Sequence, residues 1–153
     1  MVDAPHLRPV CTLNVELGPI IEMGQGRAGK RRIIPIIGGT VEGPELSGTI
    51  LNVGADWQTI FADGSADLDT RYAFETHDGA VIEVVNLGFR HGPPEVLERL
   101  AKGEEVSPDS YYMRTSARFE TGDPRYQWVN KSIFVGTGMR KASAVEVAMF
   151  AVE

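Results

Sequence analysis

Asp56, Gln58, Asp69 and Arg71 fall among apolar residues in one stretch of the chain, Gly48 to Arg90. Farther on, Arg114, Ser116, Arg118 and Glu120 alternate along one run, and Tyr126, Trp128 and Asn130 along the next. Residues two apart on a strand share a face. A carboxylate in a dry pocket has its pKa raised by desolvation or lowered by a neighbouring arginine, which is how an acid or base is tuned. Alternating charges are ordinarily the solvated face of a sheet. Two features argue otherwise here. Tyr126 and Trp128 are large aromatics on the face of Asn130, and the face opposite Asp69 and Arg71 (Leu68, Thr70, Tyr72, Phe74) is itself apolar. Both faces of that strand are then expected to be covered, with Asp69 and Arg71 lining a barrel lumen, the default place for a ligand.

Other motifs carry less. Gly24 to Gly29 satisfies G-x-G-x-x-G, and Lys30 nearly completes a phosphate loop. Both motifs need the loop to open a helix, whose free N–H groups and dipole hold the phosphate. Arg31-Arg32-Ile33-Ile34-Pro35 follows instead, and Arg31 stands where a Ser or Thr would ligate Mg²⁺. The stretch reads as a basic hairpin loop. His6, His77 and His91 are scattered, and Asp63, Asp67 and Asp69 lack EF-hand spacing, so neither a metal nor any other cofactor is expected. Cys11 reads as a buried small hydrophobe. No G-x-S-x-G elbow is present.

Short strands must position these residues. Asp63-Gly64 and Asp78-Gly79 sit between apolar runs, where Gly and Asp tolerate the positive φ of tight hairpin turns. Strand-like runs recur at 11–17, 19–23, 33–37, 46–53, 80–89, 110–120, 126–136 and 144–152, with Pro35 confining the third to an edge or bulge. His91 to Gly103 predicts a short helix near 94–102: proline in the first turn, Glu95 near the N-terminus, Gly103 at the C-terminus, and Val96, Leu97 and Leu100 as an apolar stripe. The pattern is all-β, an antiparallel barrel or sandwich in one domain over 1–153, with 1–9 a flexible N-terminus.

Net charge of −6 disfavours a nucleic-acid partner, because phosphate binding needs a basic surface. One cysteine excludes an intramolecular disulfide, and no apolar run approaches the ~18 residues of a membrane span. With no recognisable signal peptide, a cytoplasmic location and no membrane partner are expected. Ala80 to Phe89 and Ala144 to Val152 are apolar on both faces, which predicts a homo-oligomer, most simply a dimer.

Arg32-Ile-Ile-Pro-Ile-Ile-Gly-Gly39, Gly54-Ala-Asp-Trp-Gln58, Leu68-Asp-Thr-Arg-Tyr72, Phe119-Glu-Thr-Gly122 and Tyr126-Gln-Trp-Val-Asn130 resemble the uncharacterised family called domain of unknown function 3237, or UPF0311-type proteins. The resemblance covers nearly the whole chain and implies a calycin-like β-barrel with one short helix. It carries over, as pocket residues, Asp56, Trp57, Gln58, Asp69, Arg71, Arg114, Glu120, Tyr126, Trp128 and Asn130. In the leading reading the barrel mouth is an enzyme site for a small molecule. Asp56, Arg71 and Glu120 are the catalytic candidates: Asp56 or Glu120 moves a proton, and Arg71, with Arg114, holds a carboxylate, enolate or phenolate. Trp57 and Trp128 stack on a flat aromatic or polyketide-like carbonyl compound. Isomerisation, cyclisation or hydration suits such a set. The alternatives are a non-catalytic binding or carrier barrel and a structural or assembly protein in which the charges form an ion-pair network.

Overall fold

The computed structural model describes residues 1–153. Ten strands form one antiparallel sheet: β1 (Leu7–Leu17), β2 (Ile21–Gln25), β3 (Lys30–Glu42), β4 (Gly48–Ile50), β5 (Gly54–Ile60), β6 (Ala66–Thr76), β7 (Val81–His91), β8 (Tyr112–Glu120), β9 (Ile133–Arg140) and β10 (Ala144–Val152). Between β7 and β8 lies the one α-helix, α1 (Pro94–Ala101). The sheet closes on itself through β1, β10, β9, β8, β7, β6, a stave shared by β4 and β5, and β3, which returns to β1. The result is a closed antiparallel barrel of eight staves, with β2 laid on the outer half of β3.

Strict alternation makes the barrel. Along β8 every second residue is buried, from Met113 through Thr115 and Ala117 to Phe119, while the residues between face solvent. On β6 the buried set is Ala66, Leu68, Tyr72, Phe74 and Thr76. The Asp-Gly pairs turn β5 into β6 and β6 into β7, with Gly64 at φ 86° and Gly79 at φ 94°. Pro35 does not lie on an edge strand: β3 pairs with β5 on one flank and with β2 and then β1 on the other, with a register shift beside Ile36. The Pro35 carbonyl accepts from Gly18 N–H on the flank where pairing passes from β2 to β1, so its missing N–H breaks no ladder there. β1 begins at Leu7, and His6 exchanges both backbone hydrogen bonds with Glu153.

The two ends of the barrel differ. At one, Phe119 stacks on Phe134 at 4.4 Å and meets Phe74 edge-on at 6.2 Å. A 3-10 segment, Pro124–Lys131, closes this end, and here the structure departs from expectation: Tyr126, Trp128 and Asn130 lie on it and not on a strand. Asp123 caps it by accepting from Arg125 N–H, and proline follows the cap. Tyr126 donates its hydroxyl to Asp78 at 2.9 Å, and Trp128 tilts onto Phe134. Arg8 lies over the Trp128 ring and pairs with Glu45 and Glu153. At the other end α1 docks through Leu97 and Leu100 against Ala66, Leu68 and Met113. No helix is long and apolar enough to cross a membrane.

Candidate functional site

The inner wall is polar halfway down. Asp56 on β5 sits opposite Thr70 on β6, and Thr70 opposite Asn86 on β7, which places three polar residues in one row across adjacent strands. A cavity of about 50 Å³ lies against them, lined also by Tyr72, Met113, Thr115 and the aliphatic side chains of β1, β3 and β10. Gly136 leaves room on the facing wall, where a Cβ would come within 2.5 Å of Thr115 Oγ1. Three buried atoms here have no hydrogen-bond partner in the protein: Tyr72 Oη, Asn86 Oδ1 and Thr115 Oγ1. A buried polar atom left unpaired costs about 1–3 kcal/mol, so these three oxygens favour a hydrogen-bonding occupant of the cavity, solvent or ligand.

Asp56 is held in detail. Its Oδ2 accepts from Gln58 Nε2 at 2.7 Å and its Oδ1 from Asp69 N–H at 3.1 Å. Desolvation still wins and raises its pKa above the ordinary carboxylate value, against the opposing pull of Gln58, Thr70, Asp69 N–H and the Arg90 charge. Tyr72 is pushed up by burial too, so its hydroxyl stays protonated and is a hydrogen-bond donor. Gln58 is 2 % exposed and reaches both ways: its Oε1 accepts from Arg32 Nε at 2.9 Å while its amide donates to Asp56.

Above Gln58, towards α1, the wall turns cationic. Arg32, Arg90 and Arg140 line a mouth cavity of about 660 Å³ together with Ile20, Ile60, Leu97 and Leu100. Burial lowers the Arg90 pKa to about 10, helped by the like charges of Arg140 and Arg32, so it remains charged at neutral pH. Arg140 shifts the same way for the same reasons. Tyr111 fixes this strand end, its hydroxyl oxygen accepting from Arg140 N–H at 2.8 Å.

Of the residues singled out from sequence, Asp56 and Gln58 face inward, and the rest do not. Arg71 is corrected most sharply. Side chains alternate, and Tyr72 and Phe74 take the inner face, so Asp69 and Arg71 point out; the Arg71 side chain is 69 % exposed and lies 3.8 Å from Glu83. Glu120 is opposite Glu83 on the outer surface, where Arg71, Glu120 and Asn130 border one open hollow. Trp57 is 43 % exposed on the outside of β5. Arg114 lies outside over Tyr112, with Nη1 on the Met113 carbonyl. Tyr126 and Trp128 pack against the closed end, and Asn130 ties it by bonding Thr121 N–H and C=O. Missed altogether were Arg32, Arg90, Arg140, Tyr72, Asn86 and Thr115. One signal could have found Arg90: it is in phase with Ile82, Val84 and Asn86.

The loop Gly26 to Gly29 joins two strands and opens no helix. Cys11 is buried, which pushes its thiol up to about 12. No group of three or more His, Cys, Asp or Glu side chains is placed to hold a metal ion.

Known proteins share this architecture. Residues 5–152 match the family described as "Protein of unknown function (DUF3237)". The chain is 46% identical over 147 residues to the UPF0311 protein RPA1785 of Rhodopseudomonas palustris, covering 96% of each. That protein's crystal structure superposes with a TM-score of 0.93 over the whole of both chains. A β-barrel-like protein from Acinetobacter baumannii, 44% identical, superposes with a TM-score of 0.88, covering 100% of this chain and 99% of that one. More distantly, the chain is 26% identical over 133 residues to the hydroalkoxylation enzyme phnH of Penicillium herquei, covering 87% of this chain and 74% of that protein. The chain belongs to the DUF3237 family of proteins of unknown function.

Proposed function

We propose that this barrel is an enzyme for a small conjugated carbonyl or phenolic compound, with Asp56 moving the proton as a hydroxyl adds across an activated C=C bond. The observation that carries the reading is the desolvated Asp56 carboxyl beside the unpartnered Tyr72, Asn86 and Thr115 oxygens. Ionised Asp56 takes the proton of the substrate hydroxyl. Its oxygen forms the new C–O bond at the β-carbon, and the electron pair passes to the carbonyl oxygen as an enolate. Tyr72 Oη is the free donor for that oxygen. The α-carbon then recovers a proton, so the addition needs no oxidant or reductant. The 50 Å³ cavity takes no ring, and the 660 Å³ mouth, a size ordinary for small-molecule sites, is a separate cavity linked to Asp56 through the Arg32–Gln58–Asp56 hydrogen bonds, so the reaction requires the two to open into each other. Similarity to a protein named as a hydroalkoxylation enzyme supports the same class.

The test is the closure of 2′-hydroxychalcone to flavanone, followed by loss of the chalcone band and by chiral chromatography. The expected result is a rate above buffer and an excess of one enantiomer, with Asp56→Asn lowering the rate about 10²-fold or more, as removal of a general base does. Racemic product at the buffer rate would sink the reading. Saturable binding without turnover would favour the carrier barrel instead.

We also propose that the chain pairs with a second copy of itself. Leu7, Leu87, Phe89, Tyr112 and Ile133 are exposed on the outside of neighbouring strands. Arg114 and Asp67 border the same hollow as Leu87 and Phe89, so a two-fold arrangement can set the arginine of one copy against the aspartate of the other.

A further inference from the structure

Arg90 is a largely buried charge at the mouth that no protein group pairs. It is 8 % exposed, yet its guanidinium has no hydrogen-bond acceptor and no carboxylate within ion-pair distance. A buried charge without a partner is costly, and arginine cannot shed its proton to escape. Its neighbours are hardly better used. Arg32 spends only Nε, on Gln58 Oε1, and Arg140 spends only Nε, on the Lys141 carbonyl at 2.9 Å. The terminal nitrogens of all three guanidinium groups remain free around one cavity.

Among the acidic groups nearby, Asp56 acts on Arg90 and Arg140 only through space, and none forms an ion pair with the set. Asp56 lies deeper and is already bonded by Gln58 and Asp69 N–H. Asp63, at the rim, has its Oδ1 occupied by Ser65 N–H and Oγ. Glu98 borders the cavity from the exposed side of α1. Around the arginines the lining is apolar: Ile20, Ile60, Leu97 and Leu100.

We infer that the mouth is an oxyanion anchor, and that the compound it takes is an organic acid whose planar carboxylate is gripped by Arg90 with Arg32 and Arg140. Three forks of donors match a planar anion. The apolar wall matches a hydrocarbon or aromatic body attached to it. The inference deepens the proposed function by naming the charge on its substrate, but it stands or falls on binding alone. Tetrahedral inorganic anions have no body to fill the apolar wall, so they are weaker ligands for the same arginines.

The experiment is isothermal titration of the whole protein with sodium benzoate, benzamide and inorganic phosphate, repeated on Arg90→Met, with melting curves on both. Benzoate should bind saturably, and benzamide and phosphate at least tenfold more weakly. Arg90→Met should lose at least tenfold in benzoate affinity while melting no lower than the parent, because methionine fills the space without an unpaired charge. A structural role for Arg90 predicts the opposite, a lower melting temperature with unchanged affinity, and that result overturns the inference. So does benzamide or phosphate binding as tightly as benzoate, or benzoate failing to bind. Should Arg90→Met not fold, Arg140→Met carries the same arm. Turnover of 2′-hydroxychalcone, which is uncharged, is independent of these outcomes, so failure of the anchor and failure of the addition chemistry are told apart.

Discussion

Replacing Tyr72 by Phe should make the protein more stable and less active. The ring is 3 % exposed and packs in the main core, so Phe keeps the apolar contacts. What is lost is a hydroxyl that no protein group bonds. Burying such a group unpaired costs about 1–3 kcal/mol by protein mutational data. The small cavity beside it can hold solvent, which relieves part of that cost and argues for the lower end, about 1 kcal/mol. For a chain of this length 1 kcal/mol is worth roughly 2–4 °C at the midpoint. Calorimetry should therefore show Tyr72→Phe melting a few degrees higher, and urea titration should show a higher midpoint with an unchanged slope. Conversion of 2′-hydroxychalcone should fall in the same variant, because the enolate oxygen loses its donor. A melting temperature lowered by several degrees would refute the reasoning, since the hydroxyl would then be holding the resting protein together.

Asp56 gives a pH signature. Its folded pKa is raised, so the stability it contributes is fully present below the ordinary carboxylate value and is lost as pH rises through the folded one. Melting curves across the acid-to-neutral range should show the parent losing ground to Asp56→Asn in that window, and kcat/KM should climb through it in the parent alone; parallel curves would count against the shift. Light scattering should report twice the chain mass, and Phe89→Glu, which charges the centre of the apolar hollow, should halve it without changing the far-ultraviolet spectrum. A parent that stays monomeric over a broad concentration range removes the pairing.

The barrel was legible because its signals are local. Asp-Gly turns, alternation and the proline-to-glycine frame of α1 each act over a few residues, and the two Asp-Gly hairpins, β1, β7, β8, β10 and α1 formed close to where those rules put them. Alternation names two faces but does not say which is inner. On β6 the choice went to Tyr72 and Phe74, whose burial is worth more than that of Thr70 is costly, and Arg71 was carried outside. The segment 124–131 misled for a related reason. Tyr126, Trp128 and Asn130 imitate strand alternation, while Asp123 and Pro124 just before them cap and start a helical turn. The arginine cluster was unreadable as a cluster. Its members come from β3, β7 and β9, strands that only closure of the barrel turns toward one mouth.

The aromatic plug at the far end has a kinetic meaning. Phe74, Phe119 and Phe134 pack together and the 3-10 segment lies across that end of the barrel. In the proposed reaction, product leaves past the arginines and under α1, by the doorway its successor needs. Traffic is therefore single-file and two-way. A product that keeps its carboxylate competes with incoming substrate for the same three cations, so inhibition by product should be competitive. The eight residues of α1, held to the rim chiefly by Leu97 and Leu100, then set how often that door is clear.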